Sequence, residues 1–271
     1  MQKHLFRSIF LCLSVLFAIP SIGIEAGVFH LLLVGDYEND DIQRKLIAEK
    51  DIYSVQKVFQ CIAKTLDLEL QKTVITGELT SQDIFEAITL LDVASDDLLI
   101  FYYTGHGISL ISQDQDPWPD LYLPRDGELI PLSSLIATVE QKNAHFSLLI
   151  ADCCNNEIPD ALMPHLLKAK AWPKSCHHIE ENYRKLFLQN KGLVVLAAAK
   201  KKQLALADTL KGSYCTWSFL AALQDEANSS DYSGWEHLLE ATASRVEELS
   251  LALKVPRLQQ PIFAIYKPTS F

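Results

Sequence analysis

Two short stretches of the chain carry side chains able to do nucleophilic chemistry. One is Tyr103-Thr104-Gly105-His106-Gly107, and the other is Asp152-Cys153-Cys154. A thiol attacks poorly until it is deprotonated, and an imidazole held nearby can take the proton. Glycines on both sides of His106 let the backbone bend sharply and approach a ligand closely. They also free the Gly107 amide to donate to an oxyanion developing on a substrate carbonyl.

Strand parity separates the two thiols. If the strand ending in Asp152 persists, Leu148, Ile150, Asp152 and Cys154 share one face, while Ala151 and Cys153 share the other. A carboxylate is costly inside an apolar core, so the Asp152 side must lead into a cleft, and Cys154 goes with it. Cys153 then points into packing, where a thiol serves as a small hydrophobe. The opposite assignment, with Cys153 as the nucleophile, makes a distinct prediction: Cys153→Ala, and not Cys154→Ala, would abolish covalent labelling.

Both stretches follow apolar runs of strand type. Leu98 to Tyr103 precedes the histidine turn, and Phe146 to Ala151 precedes the cysteines. Phe29 to Gly35, Leu193 to Ala197 and Pro261 to Tyr266 are further runs, and Leu68 to Ile75 alternates apolar with polar. Helical spacing recurs between them. Ile42, Leu46, Ile47, Val55, Val58, Phe59 and Ile62 follow a cap at Asp40 or Asp41. Ile84, Ile88 and Leu91 follow Thr80 or Ser81, and Leu132, Leu135, Ile136 and Val139 follow Pro131. Two more helices are predicted at 215–227 and 233–253. A hairpin is predicted between Leu121-Tyr122-Leu123 and Glu128-Leu129-Ile130, across Asp126-Gly127. Strands apolar on both faces, alternating with helices, predict an α/β fold whose mostly parallel central sheet is flanked by helices on both faces. In such sheets ligands bind beyond the carboxyl ends of the strands, where both reactive stretches fall.

The bulk properties agree with one large domain. The chain has 271 residues, 49% of them hydrophobic, and a net charge of −10 with no Lys/Arg-rich block, which argues against nucleic acid as a partner. Basic Met1 to Arg7, the apolar run Ser8 to Ile19, Pro20 and the small pair Ala26-Gly27 have the layout of a secretory signal peptide. Ile24 fits poorly at the cleavage site, so an uncleaved signal anchor is the second reading, and membrane association follows only from that one. The expected organisation is a signal over 1–26 and a domain over 27–271 with an insertion at about 155–190, in an exported protein, periplasmic or secreted. Of six cysteines, Cys61, Cys153, Cys154, Cys176 and Cys215 follow the signal, an odd number that implies a free thiol. No CxxC pair occurs, so no zinc site is read, and Cys176-His177-His178 is read as a solvated loop.

Tyr102-Tyr103-Thr104-Gly105-His106-Gly107 resembles the histidine motif of the metacaspases and paracaspases, within the caspase-like cysteine peptidases, and Asp152-Cys153-Cys154 resembles their Asp-x-Cys nucleophile motif. Leu46 to Asp51 resembles the family's Leu-x-Gly-x-x-Asn-Asp turn, with Ala48 and Lys50 as departures. Ala197 to Gln203, Gly212 to Thr216, and Gln260-Pro261 resemble later segments. The resemblance spans nearly the whole chain after the signal. It implies a caspase-like α/β/α sandwich, His106 as general base and Cys154 as nucleophile. It also implies an oxyanion hole from the amides of Gly107 and Cys154, and a primary specificity pocket lined by Asp51 and Asp152. Two carboxylates there would favour Arg or Lys before the scissile bond.

The implied partner is a protein or peptide substrate, and the oligomeric state is not read. No cofactor or metal is read; many metacaspases need calcium, and no calcium loop is legible here. Where the family continues His-Ser-Gly after the nucleophile, this chain has Asn155-Asn156-Glu157. Asn tolerates the tight backbone geometry of a Gly, which would preserve the turn. Two functions are carried forward: an exported cysteine endopeptidase, and a caspase-like peptide- or partner-binding module without catalysis. Lys168, Lys170, Lys174 and Arg184 in the insertion are candidate sites of self-cleavage.

Overall fold

The structure is a computed structural model, and it describes residues 27–38, 41–110, 116–156, 179–253 and 258–267. The segment 1–26 read as a signal, Lys168, Lys170, Lys174 and Cys176-His177-His178 lie outside the described residues.

Strand β1 (Phe29–Asp36) leads to α1 (Ile42–Thr65), β2 (Leu70–Gly77), α2 (Ser81–Thr89) and β3 (Leu98–Thr104). A small antiparallel sheet follows, β4 (Gly107–Ile108), β5 (Asp120–Leu123) and β6 (Glu128–Pro131), and then α3 (Leu132–Gln141) and β7 (Phe146–Asp152). Helix α4 (Ile179–Tyr183) runs on as a π-turn over Arg184–Leu188 into β8 (Gly192–Ala197). A short ribbon of β9 (Ala207–Asp208) and β10 (Gly212–Ser213) precedes α5 (Tyr214–Asn228), α6 (Trp235–Ala252) and β11 (Ile262–Tyr266).

The central sheet has the order β11-β8-β7-β3-β1-β2. All neighbours pair in parallel except β11, which lies antiparallel to β8. Period-two alternation splits each apolar strand between two cores. Leu31, Leu33, Ile100, Tyr102, Leu148 and Ile150 pack under α1, α5 and α6, while Leu32, Val34, Phe101, Tyr103, Leu149 and Ala151 pack under α2 and α3. This is the predicted mostly parallel α/β sandwich.

The two ends of the sheet differ in character. At the amino end, Phe29 and Phe146 open β1 and β7 and join Phe59, Phe187 and Trp235. Trp235 stacks on Phe146 at 5.2 Å, and its indole N–H donates to the Leu186 carbonyl at 2.8 Å. Such ring pairs add stabilisation beyond buried area, and they anchor this end. The carboxyl end carries the polar residues.

Local signals account for most element bounds. Asp41 caps α1 by accepting from the Arg44 N–H at 3.0 Å, and Thr80 and Asp83 form a capping box on α2. Three expectations shift. Ile42 and Leu46 are 68% and 49% exposed, because the inner stripe of α1 runs instead through Ile47, Asp51, Val55, Phe59 and Ile62. The second strand begins at Leu70 rather than Leu68, since Leu68 is used to close α1, its N–H donating to the Ala63 carbonyl. Arg184 lies in a helical turn, paired with Glu180 at 3.1 Å and followed by the core residues Leu186 and Phe187.

Candidate active site

The parallel ladder of β3 and β7 sets Thr104 opposite Asp152, and an isolated bridge sets Ile108 opposite Asn156. Both pairs share one offset, by which His106 and Cys154 count to the same level along the two turns between them. Two hydrogen bonds tie the turns: Gly105 N–H donates to the Asp152 carbonyl at 3.4 Å, and Ser109 N–H donates to the Asn156 carbonyl at 2.8 Å. Gly107 makes the approach possible. A Cβ there would stand 2.3 Å from the Cys154 carbonyl oxygen and 2.5 Å from the Cys153 sulfur.

The His106 side chain is 11% exposed, with Nε2 at 3.4 Å from Glu38 Oε2 and the ring edge-on to Tyr122. Burial lowers its pKa, and so does the Arg44 charge, against Glu38 and Asp41. The two thiols part as strand parity requires, although β7 ends at Asp152. Cys153 is 1% exposed in the core beneath α2 and α3, and burial pushes its thiol well up, away from thiolate formation. Cys154 is partly exposed, and its sulfur accepts the Ala205 N–H at 3.3 Å.

The two acids meet from different elements. Asp51 reaches inward from α1 and accepts from the Ser213 N–H at 3.0 Å and the Ser213 hydroxyl at 2.6 Å. Asp152 accepts from the Thr216 N–H at 2.8 Å and the Thr216 hydroxyl at 2.5 Å. Thr216 thereby spends its only hydroxyl proton on Asp152, so Tyr102, 2.7 Å away, must donate to Thr216. Burial drives both carboxyls upward; Asp152 charge adds to the rise at Asp51, and Asp152 reaches about 6. Gly212 is demanded twice over: its φ is +85°, and a Cβ there would stand 2.0 Å from Asp51 Oδ1.

Asn155 holds the cysteine turn by a route other than the glycine-like backbone expected. It is not among the positive-φ residues; it is fully buried and bridges to Gln203. Its Nδ2 donates to the carbonyls of Pro117 at 3.1 Å and Ala199 at 3.2 Å. One side chain thus ties together the segments after β4, β7 and β8.

Arg44, Ala48, Thr104, Asp152, Cys154 and Ser213 line a cavity of about 40 Å³. Sequence reasoning singled out His106, Gly107, Cys154, Asp51 and Asp152, and the fold gathers all five at one end of the sheet. It missed Glu38, Arg44 and Asp36. Asp36 carried a readable signal, an acid closing an apolar strand just as Asp152 does; Glu38 and Arg44 carried none. No cluster of His, Cys, Asp and Glu able to hold a metal ion occurs among the described residues.

A mostly parallel, helix-flanked sheet with a histidine turn and a cysteine turn beyond the carboxyl ends of adjacent strands is the layout of the caspase-like class of cysteine peptidase folds. The caspase domain family model matches residues 32–266, and the chain belongs to that family. Among solved structures it is similar to a crystal structure of caspase-1 from Spodoptera frugiperda, with a TM-score of 0.53 and 13% identity over 88% of this chain and 86% of that one. At that identity the likeness speaks for the fold. No curated protein sequence matches the chain.

Proposed function

We propose that the protein is an exported, metacaspase-like cysteine endopeptidase that cleaves after Arg or Lys. In this reading Cys154 is the nucleophile and His106 the general base, the amides of Gly107 and Cys154 form the oxyanion hole, and Asp51 with Asp152 selects a basic side chain. The observation that carries it is the shared offset of the two backbone pairs that bracket the turns, Thr104 with Asp152 and Ile108 with Asn156. His106 takes the thiol proton as sulfur attacks the peptide carbonyl. The proton then passes to the leaving amine, and water releases the acyl group. Burial keeps His106 neutral and able to accept, while the more exposed Cys154 has the access that Cys153 lacks.

One observation favours the non-catalytic binding reading. The cavity beside Cys154 is about 40 Å³, small for a basic side chain; Ser213 bonds Asp51 and Thr216 bonds Oδ2 of Asp152, leaving Oδ1 of Asp152 without a partner among the described residues.

The two readings part on a panel of Arg, Lys and Asp peptide substrates, together with an Arg-directed electrophile, with and without calcium. The peptidase reading expects turnover of basic substrates and a covalent adduct that Cys154→Ala abolishes and Cys153→Ala retains. Absence of any adduct under all conditions would overturn it in favour of the binder.

A further inference from the structure

We infer that Glu38 is a positioning residue for His106, holding Nε2 so that Nδ1 is the ring nitrogen left for Cys154. The inference deepens the peptidase reading and rests on it for its catalytic meaning. Nε2 of His106 lies 3.4 Å from Glu38 Oε2. An imidazole has two nitrogens, and the hydrogen bond made by one decides what the other is free to do.

Glu38 stands on a fixed base, which a positioning role requires. Tyr37, its neighbour, is 6% exposed, and its N–H donates to the Gly77 carbonyl at 3.1 Å. Asp36, one residue earlier, accepts from the Leu79 N–H at 3.1 Å. The segment after β1 is therefore pinned against the end of β2. Because β1 borders β3 on the side away from β7, the segment carrying Glu38 and the turn carrying Cys154 follow strands on opposite sides of β3. The other groups facing it are Arg44 and Asp41 from the start of α1 and the Tyr122 ring from β5.

The role follows from the proton path. As the sulfur–carbon bond forms, the thiol proton moves to Nδ1 and the ring becomes an imidazolium whose Nε2–H donates to Glu38. When the peptide C–N bond breaks, the Nδ1 proton goes to the leaving amine and the ring is neutral again. Glu38 touches neither substrate nor sulfur; it fixes the tautomer and favours the charged ring, against the opposing pull of Arg44 and burial.

The test is the titration of His106, read by NMR in a Cys154→Ala background with and without Glu38→Gln. Loss of Glu38 should lower the His106 midpoint by about half a pH unit, as suits a long contact to a carboxylate open to solvent. In the chain with Cys154 intact, Glu38→Gln should cut kcat/KM roughly five-fold, mainly in kcat, and move its acid limb to lower pH. Glu38→Asp should restore the midpoint. A His106 titration unchanged by Glu38→Gln overturns the assignment whether or not the chain turns over peptides. A lowered midpoint upholds the contact even if the parent chain proves inactive, an outcome that would sink only the peptidase reading.

Discussion

Asp36 closes β1 with its carboxyl in the interior, and its ionisation should cost stability at this end of the sheet as pH rises. It is 1% exposed; Oδ1 accepts the Leu79 N–H at 3.1 Å, and Oδ2 has no hydrogen-bond partner among the described residues. Burial, aided by the charges of Glu38 and Asp126, raises its pKa from 3.8 to about 7, against the Leu79 N–H and Arg44. A carboxyl raised in the folded state binds its proton more tightly there than in the unfolded chain. Its stability contribution is therefore complete below about pH 4 and is lost as pH climbs through about 7. At about 1.4 kcal/mol per pH unit the full loss is about 4 kcal/mol, of which about 3 falls between about pH 4.5 and about pH 7.5. Asp36→Asn keeps an oxygen for Leu79 and cannot ionise, so it removes this slope, at a cost of about 1–3 kcal/mol for an amide left unpaired. Urea unfolding of both chains at the two pH values gives the measurement. The variant should lose about 3 kcal/mol less than the parent on going from acid to neutral. Parallel pH profiles would refute the reasoning, because a purely steric effect of Asn would be the same at both pH values.

Two further changes probe the turns that join the strands. Gly107→Ala places a Cβ 2.3 Å from a backbone oxygen and 2.5 Å from a buried sulfur, neither of which can swing away. It should destabilise by about 2–4 kcal/mol, seen as a lowered urea midpoint with an unchanged slope. Asn155→Ala removes the donors to the Pro117 and Ala199 carbonyls from a fully buried position. A loss of about 2 kcal/mol is expected, with faster amide exchange in the segment after β8, which hydrogen exchange would report.

The sheet was legible because its strands are apolar on both faces, a demand that only a doubly covered sheet meets. Caps at Asp41 and Thr80 and the turn at Asp126-Gly127 are local chemistry, and they stand where the residues put them. Parity assigned Cys153 to the core and Cys154 to the open side on the condition that the strand persists; β7 ends at Asp152, so the turn beyond it decides an outcome that agrees in burial. The same rule exposed Asp152 as an acid with no cheap place in a core. What no local rule could supply was the company these residues keep. Asp51 sits on the apolar stripe of α1, yet its partner Ser213 is 162 positions away, and only the packing of the β9–β10 ribbon beside α1 joins them. Glu38 meets His106 because β1 and β3 are neighbours in the sheet, an adjacency set by strand order rather than by spacing along the chain. Asn155 was read as a stand-in for glycine. The fold instead uses its amide, because two segments distant in sequence bring their carbonyls to one buried point.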